Sequence, residues 1–350
     1  MDGNASLHPR LAGEVLRGGS PLAGVEVLGR SLLEATVENL QSAGVGPISV
    51  LARSSVTGST DSPSSGLPSD DVQFPQSQNN SLGSGSHRDP ARFFQVEDVA
   101  GSLQSNLRAH RNSGIDTALV ICLAAYVELD WTRAVQFHRE KGRPATRLAN
   151  ADGPLDVWMV ETAHFMEQVD VLNSLKAADL GCYEASGYVN RLTHPRDLRQ
   201  FAVDALTGCC QLRPRGSEIQ PGVWLGEGAQ VHRGAHIVAP AFIGRSSIAG
   251  EDCTIADCSA VESDCEIDCG STLSDVSLLA NTYVGIGLDL RHSVVNGGAV
   301  LSLEHDVILE ISDAGVVRQN KISRKDVSLP APVDVQVGEM LFTPAEEAAN

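Results

Sequence analysis

Aromatic residues are scarce in this chain of 350 residues, since Phe, Trp and Tyr together make up 4% of it. Large aromatic side chains dominate thick globular cores, so their scarcity favours a fold built from aliphatic and small side chains. The chain also lacks a run of about 18 or more apolar residues, which disfavours a membrane-spanning helix. Its first residues show neither the basic nor the apolar segment of a secretion signal.

Basic residues are few as well. The chain holds 26 Lys and Arg residues against 44 Asp and Glu residues, which gives a formal net charge of −18. Duplex nucleic acid and anionic membrane surfaces both bind clustered positive charge, so neither is an expected partner. Eight cysteines are present, and without an export signal we expect them to be reduced thiols in a cytoplasmic protein.

A six-residue repeat runs through the C-terminal part of the chain, over about residues 222 to 300. Its first register is aliphatic at every step except Ala249. The members are Leu225, Val231, Ile237, Ile243, Ala249, Ile255, Val261, Ile267, Leu273 and Leu279. Two positions before each member, from residue 229 to residue 277, the chain carries Ala, Ser or Cys. Two registers that persist together indicate a regular solenoid.

Three short strands per coil would place residues three repeats apart on one wall, with small residues at the corners. The predicted ladders are Leu225, Ile243, Val261 and Leu279 on one wall and Ile237, Ile255 and Leu273 on another. Stacked strands lie about 4.8 Å apart, so like side chains would touch. The pattern resembles the left-handed β-helix of hexapeptide-repeat proteins, and that resemblance alone implies the left hand.

Upstream of the repeat, the hydrophobic periodicity predicts alternating helices and strands, as in an α/β domain. Ser31 and Glu34 form a capping box at the start of a helix that Gly44 would end. Asp130 and Gly142 bracket a second helix in the same way. The other predicted elements are helices at 96–111 and 163–177, strands at 45–51 and 117–124, and a hairpin at 145–160.

Composition also sets the predicted domain boundaries. Residues 54–90 are rich in Ser, Gly and Pro, and we interpret them as a disordered insert. The α/β domain is predicted to span 1–215 and the repeat domain 216–325. The repeat domain would end in a hairpin around Asp313–Gly315, before a tail at 326–350.

Several segments of the N-terminal half, taken in order, resemble the sugar-1-phosphate nucleotidyltransferases, also called nucleotide-sugar pyrophosphorylases. The segments are Val27–Leu33, Glu38–Leu40, Ala43–Val45, Ala100–Leu103, Val120–Asp130, Phe137–Gly142 and Gly187–Pro195. The resemblance implies a Rossmann-like domain of the GT-A type followed by a left-handed β-helix. The residues that it places at the ligand are Gly29, Arg30, Gly101 and Gly187.

In the same alignment, this chain lacks the catalytic residues of the nucleotidyltransferases. Active members hold Mg²⁺ with two aspartates, and the matching positions here are Ala125 and Arg191. Alanine offers no oxygen ligand, and arginine repels a cation. The nearest stretch to the Gly-rich phosphate loop, Leu16–Pro21, has no clear preceding strand and no following lysine. We therefore expect no catalytic residues, no metal and no cofactor, with Mg²⁺ bound only if the protein is active.

Two activities stay open as alternatives. An active nucleotidyltransferase would need a relocated metal site, for which Glu128, Asp130 and Asp116 are the nearest carboxylates. A loop residue and a helix N-cap are the simpler interpretations of these side chains. A hexapeptide acyltransferase would use His232 or His236 as a base towards a CoA thioester.

Acidic residues are concentrated in the middle of the repeat. We interpret them as a solvated outer surface in preference to a cation-binding or docking site. They are Glu251, Asp252, Asp257, Glu262, Asp264, Glu266, Asp268 and Asp275. The four cysteines of this stretch lack a C-x-x-C pair, so they are interpreted as small buried residues and not as zinc ligands.

The sequence thus predicts a non-catalytic nucleotidyltransferase-like protein of sugar-nucleotide or polysaccharide metabolism, with a regulatory, ligand-binding or assembly role. Its expected ligand is a nucleotide or a sugar phosphate. A β-helix exposes a flat wall and an open end, so a homo-oligomer, or a hetero-oligomer with a catalytic homologue, is also expected. A purely structural scaffold is the remaining alternative.

Overall fold

The computed structural model describes residues 11–17, 21–53, 91–177 and 181–320. The predicted insert at 54–90 and the predicted tail lie outside the described residues. No helix among the residues it describes is long and apolar enough to cross a membrane.

The chain folds as two compact units. We call residues 1–24 and 36–189 the α/β unit, and residues 25–35 and 190–350 the coil unit.

From Leu11 to Asn190 the elements are β1 (Leu11–Arg17), a 3-10 turn (Pro21–Gly24), β2 (Glu26–Val27), β3 (Arg30–Ser31), α1 (Leu32–Ser42), β4 (Ile48–Arg53), β5 (Arg92–Val96), α2 (Val99–Asn112), β6 (Thr117–Cys122), β7 (Tyr126–Glu128), α3 (Trp131–Lys141), β8 (Ala145–Asn150), β9 (Gly153–Glu161), α4 (Thr162–Phe165), α5 (Val171–Ala177), β10 (Gly181–Glu184) and β11 (Tyr188–Asn190).

The remaining elements are α6 (Pro195–Thr207), β12 (Ser217–Gln220), β13 (Val223–Leu225), β14 (Gln230–Val231), β15 (His236–Ile237), β16 (Ala241–Ile243), β17 (Ile248–Ala249), β18 (Thr254–Ala256), β19 (Ala260–Val261), β20 (Glu266–Ile267), β21 (Thr272–Leu278), β22 (Thr282–Val284), β23 (Asp289–Asn296), β24 (Ala299–Ser302), β25 (Val307–Glu310) and β26 (Val317–Gln319).

A seven-stranded sheet in the order β10-β8-β9-β6-β1-β4-β5 forms the centre of the α/β unit. All neighbours run parallel except β9, which is antiparallel to β6 and β8. Every residue of β6 is buried, as expected for a central parallel strand covered on both faces. The sheet makes this unit a mixed α/β structure rich in parallel strands, as predicted.

Strand β1 corrects one prediction, because no clear strand was expected before Leu16–Pro21. β1 is in fact an interior strand of the sheet and pairs with both β4 and β6. Its buried Glu14 interrupts the apolar pattern that marks a central strand. The Glu14 carboxylate is bound by His110 Nε2 at 2.6 Å and by Asn106 Nδ2 at 2.9 Å.

The capping signals in the sequence are confirmed. Glu34 N donates to Ser31 Oγ at 3.2 Å, and Ser31 N donates to Glu34 Oε2 at 3.1 Å. Asp130 Oδ1 accepts Arg133 N at 3.1 Å at the start of α3. The single helix predicted at 163–177 is wrong: Asp170 Oδ1 accepts Asn173 N at 3.0 Å, and a new helix, α5, begins there.

Parallel strands stack coil upon coil in the coil unit. Leu225 pairs with Ile243, and Ile243 with Val261, as predicted. Val261 then pairs with Leu278 and not with Leu279, so this ladder prediction is wrong at its last member. In one coil the corner has two left-handed residues, Asp257 and Cys258. The equivalent corner of the next coil has only one, Asp275, so that coil is one residue shorter.

The corner serines bind the backbones of neighbouring coils. Ser247 Oγ donates to Glu262 O at 2.6 Å and accepts Cys265 N at 2.9 Å. Ser271 Oγ donates to Gly285 O at 2.6 Å and accepts Leu288 N at 3.0 Å. The serines at these corners therefore make hydrogen bonds that the alanines of the same register cannot make.

The predicted terminal hairpin is also wrong. β25 pairs with β24, and β26 pairs with β22, so the strands on either side of Asp313–Gly315 do not pair with each other. Strand β24, which the sequence did not reveal, pairs with β25 on one side and with β23 on the other.

Candidate functional site

The α/β unit has a topological switch point between β1 and β6. In open α/β sheets, ligands bind beside the carboxyl ends of the strands at such a point. The chain continues from β6 into Leu123, whose N–H donates to Leu16 O at 2.9 Å. Ala125, at the predicted metal position, follows directly and is buried. It therefore lies at the sheet edge where a ligand is expected, but it supplies only a methyl group.

Strand β7 begins after Ala125 and pairs with β11. The Tyr126 and Tyr188 rings meet edge to face, with centroids 6.2 Å apart. At Gly187 a Cβ atom would lie 1.8 Å from the carbonyl oxygen of Glu128, so this backbone approach requires glycine. Gly187, a predicted ligand contact, thus has a packing role. Arg191 follows β11 directly along the chain.

The three carboxylates considered for a relocated metal site have other partners. Glu128 is buried, and Tyr126 Oη donates to its Oε1 at 2.8 Å. Asp130 caps α3, and Asp116 forms an ion pair with Arg111. A group of three or more His, Cys, Asp or Glu side chains in a metal-binding arrangement does not occur among the described residues.

These residues do not fit the two-carboxylate Mg²⁺ site of the sugar-1-phosphate nucleotidyltransferases, because Ala125 offers a buried methyl group and no oxygen ligand.

Gly101 lies in the first turn of α2, where the resemblance places a ligand contact. A Cβ atom there would lie 2.4 Å from Asp98 Oδ2, so the Asp98 carboxylate covers this position. A negative side chain at a helix N-terminus takes the place that a phosphate would otherwise favour.

Gly29 and Arg30, the other predicted ligand contacts, belong to the coil unit. Gly29 lies in the turn between β2 and β3, at φ +76°, and Arg30 begins β3, where it pairs with Val27. Gly29 N donates to Glu262 Oε2 at 2.8 Å, and Leu28 N donates to Glu262 Oε1 at 2.7 Å. Arg30 Nε donates to Arg213 O at 3.0 Å. Both residues therefore hold the hairpin in place within its own unit.

Glu262 corrects the interpretation of the acidic stretch as a solvated surface, because its side chain is buried, with 2% of the residue exposed. The pKa of the carboxyl group is raised to about 7, chiefly by burial and to a lesser degree by the nearby Glu26, against the lowering effect of the two N–H donors. Sequence reasoning missed this residue, since its partners lie more than two hundred positions away.

Asp275, another member of that stretch, binds the buried Arg199 of α6. Arg199 Nε donates to Asp275 Oδ1 at 2.9 Å, and its other nitrogens donate to Cys258 O and Asp257 O at 2.9 and 3.0 Å. Nothing in the repeat pattern marked this clamp, whose arginine lies before the first coil.

The remaining candidates occupy ordinary surroundings. His232 and His236 are exposed, and His232 Nδ1 accepts Gly234 N at 3.2 Å within its own turn. Cys253 and Cys265 are buried, as the small-residue interpretation predicts, whereas Cys258 and Cys269 are only half-buried. Burial raises the pKa of Cys253 to about 11 and also raises that of Cys265.

Comparison with known proteins leaves the family of the chain open: no protein-family model matches it, and no curated protein is significantly similar to it.

Proposed function

We propose that this chain is a non-catalytic nucleotidyltransferase-like protein that binds a nucleotide or a sugar phosphate at the carboxyl edge of β1 and β6. Its role in sugar-nucleotide or polysaccharide metabolism is regulatory or assembling. The observation that carries the proposal is the buried Ala125 at this edge, where the nucleotidyltransferases place a metal-binding aspartate.

The sheet supports the binding half of the proposal. β1 lies between β4 and β6, so the connections to its two neighbours leave in opposite directions, and open α/β sheets bind their ligands at such a switch point. A nucleotide or a sugar phosphate is the ligand class that the resembling segments on this side of the sheet imply. The coil unit then serves assembly, with copies of the chain or with a catalytic homologue.

The non-catalytic half rests on the missing oxygen ligand. Mg²⁺ neutralises the charge that develops in phosphoryl and nucleotidyl transfer. One such electrostatic contact contributes about 10²–10³ in rate, so replacement of a ligand by a methyl group removes the reaction from a useful range.

The test combines an assay with a binding measurement. The full chain is incubated with each nucleoside triphosphate, a panel of sugar 1-phosphates and Mg²⁺, and pyrophosphate release is measured. We expect none, while a nucleotide or a sugar phosphate raises Tm without Mg²⁺. Turnover that is lost in Glu128→Gln or Asp130→Asn would establish the active alternative, and a Tm that no compound moves would refute binding.

Ala125→Asp locates the ligand. An aspartate at this edge restores one metal ligand, so we expect the nucleotide-induced rise in Tm to become larger with Mg²⁺. Ala125→Asn has the same size without the charge and is the matched control, for which Mg²⁺ should change little. Equal Mg²⁺ responses in the two variants would place the ligand elsewhere.

A further inference from the structure

A small cavity lies beside Ala125 within the α/β unit. Its volume is about 10 Å³, close to the space that one water molecule needs. The wall is formed by α1, by β6, β7 and the segment between them, by β9, and by the first residue of α3. The lining residues used below are Thr36, Asn39, Ala125 and Trp131.

Two buried polar atoms belong to the residues of this wall. Thr36 is 7% exposed and Trp131 is 4% exposed. Within the part of the chain that the structure describes, neither Thr36 Oγ1 nor Trp131 Nε1 has a hydrogen-bond partner. A buried donor without a partner costs free energy, whereas a bound water in a polar cavity removes that cost.

We infer that one ordered water molecule occupies this cavity and bridges Thr36 Oγ1 and Trp131 Nε1. The indole N–H can only donate, so the water oxygen accepts from Trp131. The threonine hydroxyl can donate or accept, and the Asn39 amide offers a further polar group to the same space. The water therefore joins α1 to the start of α3 beneath the edge that carries Ala125.

The inference goes beyond the proposed function and does not depend on it, because the water belongs to the chain without ligand. The results of the pyrophosphate assay and of the nucleotide-binding measurement therefore do not bear on the presence of this water. Its test is the structure of the cavity itself and the energetic link between its two polar residues.

A crystal structure of the full chain provides the direct test. We expect an isolated density peak in the cavity, at about 2.7–3.2 Å from both Thr36 Oγ1 and Trp131 Nε1. An empty cavity in a well-resolved map would overturn the inference.

Thr36→Val provides an independent test, in which the direction of the change in Tm distinguishes the two possibilities. The substitution keeps the shape of the side chain but removes the hydroxyl. If a water bridges the two atoms, its loss lowers Tm by about 2–4 °C. If the hydroxyl is buried without a partner, its replacement by a methyl group leaves Tm unchanged or raises it, and the inference fails.

A double-mutant cycle connects the two residues. With a shared water, Thr36→Val and Trp131→Phe each disrupt the same bridge, so the double variant loses less Tm than the sum of the two single losses. Trp158 supplies the matched control, because its Nε1 is also buried without a partner among the described residues but it does not line this cavity. Thr36→Val and Trp158→Phe should therefore add, and additivity in both pairs would contradict the bridge.

Discussion

The carboxylate of Glu262 accepts the backbone N–H of Gly29 at 2.8 Å, across 233 positions of the chain. Its second oxygen accepts the N–H of Leu28, so a single buried side chain satisfies both donors of the β2–β3 turn. Leu28 and Gly29 both have positive φ, at +53° and +76°. The turn thus presents two adjacent N–H groups to one anion, as a backbone nest does.

Glu262 makes the stability of the coil unit depend on pH. Its pKa is about 7 in the folded chain, against 4.5 as the ordinary value, because burial disfavours the charged form. The folded chain therefore binds the proton more tightly between these values, and stability falls as pH rises through this window. From about pH 4.5 to pH 7 the loss amounts to about 3 kcal/mol.

Glu262→Gln isolates this contribution, because glutamine does not titrate and the other groups cancel in the difference. Urea denaturation of both proteins at several pH values between 4.5 and 8 measures it. We expect the stability of the original chain relative to the variant to fall as pH rises to about 7 and then to level off. A constant difference would show that Glu262 keeps an ordinary pKa, and a rising one would show that folding lowers its pKa.

The Arg199 clamp should be sensitive to loss of its guanidinium. Arg199→Leu leaves Asp275 without its buried partner and two coil carbonyls without donors, which should lower the free energy of unfolding by about 3 kcal/mol. Arg196→Leu is the matched control on the same helix, since the Arg196 side chain is 55% exposed and its loss should cost about 0.5 kcal/mol or less.

Arg199→Lys adds a second comparison. Lysine keeps the charge but lacks the planar fork that reaches Asp275, Cys258 O and Asp257 O together, so an intermediate loss is expected. Urea midpoints of the three variants rank these effects. Equal losses for Arg199→Leu and Arg196→Leu would mean that the clamp adds nothing beyond a surface ion pair.

The repeat shows how far sequence reasoning reaches. The spacing of Leu225, Ile243 and Val261 predicted the ladder, because every coil repeats the same local environment. Leu279 failed as its last member because the Asp275 corner is one residue shorter, so the register moves to Leu278. Since both positions are leucine, the hydrophobic pattern did not show this shift. Local periodicity therefore predicts walls but not the length of each corner.

The acidic stretch shows more clearly which features local sequence patterns cannot predict. Asp252, Asp257, Asp264 and Asp275 have positive φ, a conformation that Asp tolerates better than most residues. The recurrence of aspartate at the coil corners could have predicted this backbone conformation, but these residues were considered only for their charge. The burial of Glu262, by contrast, depends on a hairpin near the other end of the chain, which no local pattern contains.

The candidate site also combines features that the sequence predicted with features that only the structure shows. The sequence alone placed Ala125 after a strand, and the structure adds that this strand borders β1 at a switch point. Gly187 looked like a ligand contact, but its nearest neighbour is the Glu128 carbonyl group. A glycine in a motif can therefore indicate a close backbone approach as readily as a bound ligand.

Gly187→Ala tests that distinction. The added methyl group would lie 1.8 Å from a backbone oxygen, so β7 and β11 must separate and the free energy of unfolding should fall by about 2 kcal/mol. Gly24→Ala is the control in the same unit, because a Cβ atom there meets nothing within 4 Å. Thermal unfolding without ligand measures both, and an unchanged Tm for Gly187→Ala would return Gly187 to the set of ligand contacts.

Ser271 tests whether corner residues act through hydrogen bonds or only through their small size. Its Oγ binds Gly285 O and Leu288 N, and both contacts are lost in Ser271→Ala although the alanine fits the corner. The two backbone groups then stay buried without partners, and we expect a loss of about 1–3 kcal/mol in urea denaturation together with faster amide exchange at Leu288. Ser312→Ala, at an exposed position of the same unit, should leave both measurements unchanged. If Ser271→Ala is as stable as the original chain, size alone selects the corner residues, and the alternation of Ala, Ser and Cys along that register carries no hydrogen-bonding requirement.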